Sequence, residues 1–155
     1  MASRWLGVVV SGDKVTIVDA EVPDTGPLVI QADESWPLQQ GERVPAYVVM
    51  AQQVSNYVTE NRIKLAVVKA SAVSLGGTKK AHLESAELRG VVMAALGTIT
   101  NVELRSKGVI SKTFGKRKVD AYVKDDGFWQ KECVGQLRSG SREAAMVLLA
   151  ARKPK

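Results

Sequence analysis

The first 30 residues alternate short apolar runs with polar turns, a pattern that is typical of antiparallel strands. Residues 5–10 are almost all apolar and predict a strand that is buried on both faces. Ser11-Gly12-Asp13 predicts a tight turn, and the β-branched segment 14–20 predicts a second strand that pairs back on the first. Residues 28–30 begin a third strand, whereas 33–43, with a proline and a glycine, predict a loop.

The spacing of apolar residues changes at Val44, where they begin to recur every three to four positions. This period predicts a helix over 45–60, because Pro45 is tolerated in a first helical turn. Further elements are a strand at 63–68, a helix at 82–96, a strand at 100–104, shorter helices, and a last helix at 142–151. The order predicts a single α/β domain over 1–155, with a mixed five-stranded sheet (three antiparallel strands, then α/β alternation) flanked by helices.

Composition excludes several classes of protein. Apolar residues make up 45% of the chain, which is enough to build a core. Cys133 is the single cysteine, which excludes an internal disulfide and a cysteine-cluster metal site. No apolar run approaches the roughly 20 residues of a transmembrane helix, so we expect no membrane partner. The first residues lack the pattern of a secretion signal, and we therefore expect a cytoplasmic protein.

Charge is distributed unevenly along the chain. Residues 1–60 hold three Lys or Arg and eight Asp or Glu, whereas 61–155 hold 19 and eight. The basic half favours binding to a polyanion such as DNA or RNA, although a surface that only maintains solubility fits this composition as well. No acid lies between Glu103 and Asp120, and we expect three lysines from elsewhere on the same rim. The candidate nucleic-acid-binding residues are Lys69, Lys79, Lys80, Arg105, Lys107, Lys112, Lys116, Arg117 and Lys118.

Four short motifs carry a family resemblance. They are Leu6-Gly7-Val8-Val9 in the first strand, Ala66-Val67-Val68-Lys69 in the fourth, Ala86-Glu87-Leu88-Arg89-Gly90-Val91 in the second long helix and Glu143-Ala144-Ala145 in the last helix. Together with the element order, these motifs resemble RuvC-type Holliday-junction resolvases of the ribonuclease H-like superfamily, and bacterial families of degenerate RuvC-like domains. The resemblance spans nearly the whole chain and implies DNA binding and a homodimer.

The chain departs from this resemblance at the catalytic positions. RuvC-type nucleases hold two divalent ions between carboxylates, because hard cations such as Mg²⁺ need oxygen ligands. Val9 stands where the family has an aspartate, Lys69 where it has a glutamate, and Gly140 where it has an acid three residues before Glu143. One carboxylate cannot hold two metals. These departures from the family therefore imply no bound metal or other cofactor, and no cleavage.

Three hypotheses follow from the sequence. The first is a catalytically degenerate RuvC-like domain that binds nucleic acid, or a partner that processes nucleic acid, without cutting. The second is an active nuclease dependent on Mg²⁺ or Mn²⁺, with its carboxylates relocated to Asp19, Glu87 and Glu143. Solvated surface charges are the competing interpretation of those acids. The third is a protein-interaction or structural module that kept only the fold.

Overall fold

Strands and helices follow one another in the predicted order. The computed structural model describes residues 2–72, 79–113, 115 and 117–152. The strands are β1 (Ser3–Ser11), β2 (Lys14–Val22), β3 (Leu28–Pro37), β4 (Leu65–Lys69), β5 (Asn101–Arg105) and β6 (Cys133–Val134). The helices are α1 (Arg43–Glu60), α2 (Lys80–Gly97), α3 (Lys107–Lys112), α4 (Val119–Val123), α5 (Asp126–Glu132) and α6 (Arg142–Arg152), and a 3₁₀ turn (Ser139–Ser141) precedes α6. None of the helices in these ranges has both the length and the apolar composition of a membrane span.

The strands form one mixed sheet in the order β5-β4-β1-β2-β3-β6. β1, β2 and β3 pair antiparallel, while β4 is parallel to β1 and β5 is parallel to β4. These pairings confirm the predicted α/β class and mixed sheet, with two corrections. β3 continues to Pro37 through a segment predicted as loop, because this segment pairs with the start of β2 and buries Trp36. The five-strand prediction missed β6, which has two residues, too few to show a period, and pairs parallel with the start of β3.

The sheet separates two hydrophobic cores. One face packs under α1 and α2, and the other is covered by α6 together with α3, α4 and α5. In β1, Val8 and Val10 belong to the α1 side, whereas Gly7 and Val9 face α6. Every residue of α6 from 144 to 150 is buried, so this helix contributes more buried residues to the second core than any other described element.

The close approach of α6 to β1 depends on the absence of a side chain at Gly7. A Cβ atom there would overlap the backbone carbonyl oxygen of Ala144 and lie 3.1 Å from Cγ of Leu148. Gly7 is not among the glycines with a positive φ, so the constraint is space and not backbone conformation. Gly7 therefore sets the height of α6 above the sheet.

An ion pair attaches the segment before α6 to β3. Arg138 donates from its guanidinium to Oδ1 of Asp33 over 2.9 Å and from its backbone N–H to Oδ2 over 2.7 Å. Burial by itself would raise the pKa of Asp33, but hydrogen bonds from Arg138 and Ser141 outweigh that effect and leave the pKa lowered. The charged form of Asp33 therefore stabilises the folded chain.

We expect Gly7→Ala to lower the free energy of unfolding by about 3 kcal/mol, because α6 must move away from β1 to admit the new methyl group. Gly90→Ala is the matched control, since a Cβ at that helical position meets nothing within 4 Å. The control should be unchanged or stabilised by up to about 1 kcal/mol, as Ala is the better helix former. Urea unfolding measures the free energy of unfolding of both variants. Equal values would contradict the close contact between Gly7 and α6.

We expect the stability lost in Asp33→Asn to depend on pH. The native pKa of Asp33 is lowered, so its contribution is fully present above the unfolded pKa of about 3.9 and disappears as the pH falls through the native value. Thermal unfolding should show a deficit of about 1 kcal/mol at pH 7 that shrinks as the pH falls below the unfolded pKa. Asp24→Asn, in the exposed loop after β2, is the control and should show no such deficit. A deficit that stays constant with pH would exclude the charged hydrogen bonds as its cause.

Candidate nucleic-acid interface

The carboxyl ends of the parallel strands bring Lys69 and Arg105 together with the starts of α2 and α3. β4 and β5 run in the direction of β1, with Val8 opposite Val68 and Lys69 opposite Arg105. α2 and α3 follow β4 and β5, so both helices begin at this same edge. We call the ends of β1, β4 and β5, with the first turns of α2, α3 and α6, the carboxyl edge. Ligands of open α/β sheets bind at such edges.

Lys69 and Glu143 form an ion pair at the carboxyl edge. Lys69 is the last residue of β4, and its Nζ donates to Oε1 of Glu143 over 3.0 Å. The two side chains are 21% and 23% exposed, so solvent reaches both. Val9, on the neighbouring strand and the same face, adds an apolar wall and no ligand atom. Where the resemblance implies carboxylates around metal ions, this chain places one carboxylate and one tethered cation.

A second ion pair lies on the same face of the sheet. Arg105 donates from Nη2 to Oε1 of Glu103 over 2.6 Å and from Nη1 to the backbone carbonyl of Leu104 over 2.9 Å. The Arg105 side chain is only 8% exposed, so it is unsuited to contact a polyanion directly. The sequence analysis did not identify Glu103 as its partner. The spacing in the sequence indicates this partner, because residues two apart in a strand share a face.

Asp19 lies on the opposite side of the sheet from Glu143. It is fully buried in β2, where Arg4 and Tyr57 donate hydrogen bonds to its carboxylate, the latter over 2.7 Å. Burial, and then the adjacent Asp19 carboxylate, raise the pKa of Tyr57, which therefore stays a neutral donor. Asp19 links the end of α1 to the sheet and has no route to the carboxyl edge.

Glu87 is also separated from the other two acids. It is exposed on α2, where its carboxylate accepts a hydrogen bond from the Tyr47 hydroxyl over 2.8 Å. Across the described ranges, no group of three or more His, Cys, Asp or Glu side chains could hold a metal ion. The structure therefore does not bring Asp19, Glu87 and Glu143 together, and the described side chains do not fit a Mg²⁺ or Mn²⁺ centre.

Most of the predicted basic residues are exposed. Lys107 makes a long ion pair of 3.4 Å with Asp120. Arg117 lies 3.0 Å from Asp125, and its guanidinium stacks 4.2 Å from the centre of the Tyr122 ring. Exposed pairs of this kind are weak and leave the cation available to another anion. Among the predicted residues, the exposed lysines for which the described part of the chain provides no ion pair are Lys79, Lys80, Lys112 and Lys118. Lys116 lies outside the described residues.

Arg89 fixes the shape of the carboxyl edge and was not among the predicted site residues. Its Nη2 donates to the carbonyl of Val10 over 2.9 Å, and its Nη1 donates to the hydroxyl of Ser71 over 2.6 Å. Burial lowers the pKa of Arg89. It joins α2 to the end of β1 and to the chain that leaves β4, so it orients the segment next to Lys69. The sequence feature that indicated a role for Arg89 was the Arg-Gly pair in the α2 motif.

Comparison with solved structures identifies the fold. No family model and no curated protein matches the chain. T. thermophilus RuvC in complex with Holliday junction substrate superposes with a TM-score of 0.71 at 12% sequence identity, covering 96% of this chain and 91% of that chain. A second T. thermophilus RuvC structure gives a TM-score of 0.72 at 12% identity, with coverages of 95% and 92%. A yeast mitochondrial Holliday junction resolvase gives 0.66 at 12% identity, with coverages of 97% and 79%. The chain therefore has a RuvC-like fold of the ribonuclease H-like type.

Proposed function

We propose that this protein is a catalytically degenerate RuvC-like domain that binds nucleic acid without cleaving it. The observation that carries the proposal is the 3.0 Å pair between Lys69 and Glu143, because an ammonium group stands beside the one acid retained at the catalytic positions. A metal ion activates water and stabilises the leaving oxygen of a phosphodiester. Lysine does neither, although it still attracts phosphate.

The exposed cations of the carboxyl edge support a phosphate-binding role. Lys79 and Lys80 lie at the start of α2 and Lys107 at the start of α3, which are separate elements. Lysine contacts to phosphates position a nucleic acid without reading its sequence. One of the similar structures, T. thermophilus RuvC, is in complex with Holliday junction substrate. Double-stranded or branched DNA is therefore the first ligand to test.

The two alternatives have less support. An active nuclease with relocated carboxylates would need acids that converge, and Asp19, Glu87 and Glu143 are held in separate surroundings. An interaction or structural module would use a partner protein in place of nucleic acid. Failure of the chain to bind any nucleic acid at low salt would favour that module.

We also propose that the domain works in the cytoplasm as a homodimer. The apolar side chains Val44 and Val48 of α1 and Leu83 of α2 are each more than half exposed on the outer helical layer. Burying them against a second copy would remove apolar surface from water. Light scattering of the purified protein measures its mass, and a monomer at high micromolar concentration would contradict the dimer.

We expect binding to a labelled DNA duplex to be strongly salt-dependent and to weaken in Lys79→Ala/Lys80→Ala, which removes two exposed charges at the start of α2. Each phosphate contact that is lost should reduce the slope of log affinity against log salt by about 0.9. The control is Lys64→Ala/Lys131→Ala, which removes the same charge from exposed lysines near the starts of β4 and β6, away from the carboxyl edge. Fluorescence anisotropy measures the affinity of wild type and of both variants for the labelled duplex. Equal losses of affinity in the two variants would contradict an interface localised at the carboxyl edge.

We expect calorimetric titration with Mg²⁺ or Mn²⁺ to show no stoichiometric binding, because Lys69 already neutralises Glu143. We also expect no cleavage of duplex or branched DNA in either metal. Glu143→Ala serves as the comparison, and should behave like wild type in both assays. Stoichiometric binding or cleavage that disappears in Glu143→Ala would instead establish the active nuclease.

A further inference from the structure

The Lys69 ammonium group has unused hydrogen-bonding capacity. A lysine carries three N–H donors, and the described residues supply one acceptor, Oε1 of Glu143. The side chain is 21% exposed, so the remaining donors can reach a ligand from solvent. Arg105, the cation of the second ion pair, is 8% exposed and donates hydrogen bonds to Glu103 and Leu104. Of the two paired cations, Lys69 is therefore the one that an incoming anion can contact.

Glu143 occupies the position that an anion would take beside Lys69. Its carboxylate lies in the first turn of α6, where the helix dipole stabilises negative charge. A phosphate that approaches Lys69 meets the same carboxylate, and the two negative groups repel each other. A partly exposed ion pair is weak, so it can be exchanged for another pair. Glu143 therefore opposes phosphate binding while it pairs with Lys69.

We propose that Lys69 contacts a backbone phosphate of the bound nucleic acid and that Glu143 is its internal competitor. Binding exchanges the Lys69–Glu143 pair for a Lys69–phosphate pair. This inference rests on the proposed nucleic-acid-binding function and adds a residue-level control to it. It gives Glu143 the opposite role from a catalytic acid, since removal of its charge strengthens the interaction with the ligand.

A double-mutant cycle on the full chain tests the exchange. Glu143→Gln should bind a labelled duplex about threefold to tenfold more tightly than wild type, and Lys69→Met should bind it less tightly by a similar factor. In the Lys69→Met background, Glu143→Gln should have a much smaller effect. Lys69→Met should also reduce the salt slope by about one, and Lys69→Arg should restore most of the affinity.

Glu60→Gln is the control for net charge, because it removes one exposed carboxylate at the end of α1. Equal tightening by Glu60→Gln and Glu143→Gln, or an effect of Glu143→Gln that does not depend on Lys69, would overturn the exchange. Circular dichroism confirms that each variant is folded. Binding that weakens in Lys79→Ala/Lys80→Ala but does not respond to substitution of Lys69 or Glu143 rejects this inference and leaves the proposed function standing. No binding by wild type at low salt rejects both.

Discussion

The contact between Gly7 and the first turn of α6 determines where the candidate interface lies. Because Gly7 has no Cβ, the carbonyl of Ala144 rests directly on β1, and the buried residues that follow hold the helix to the sheet. Glu143 precedes this contact by one residue, so its carboxylate reaches the end of β4, where Lys69 meets it. The apolar packing of one helix thus sets the geometry of a polar pair at the surface.

Three acids that contact the sheet are paired with donors inside the protein. Glu143 and Glu103 have cations on the α6 face, and the buried Asp19 has Arg4 and the Tyr57 hydroxyl on the other. A divalent ion binds where several carboxylates lack such partners and repel one another. The described residues instead leave lysines exposed at the carboxyl edge. The balance of charge there favours an anionic ligand over a cationic one.

The sequence predicted the elements whose signals are local. Alternation and helical periods located five strands and the long helices, because each pattern lies within its own segment. The environment of Asp19 could not be predicted in this way. It depends on Arg4 and Tyr57, which are 15 and 38 positions away along the chain and meet it only through the sheet and α1. The two-residue strand β6 likewise exists only because β3 is there to pair with it.

A lysine and a divalent ion attract phosphate with different consequences. The ion lowers the pKa of a bound water enough for hydrolysis at neutral pH, whereas an ammonium group on a side chain does not. A tethered lysine also stays in place at any metal concentration. Its single charge gives a weaker contact, so useful affinity requires several such contacts along the carboxyl edge. In the proposed function such contacts reach the backbone and not the bases, which favours a domain that recognises the form of a nucleic acid over its sequence.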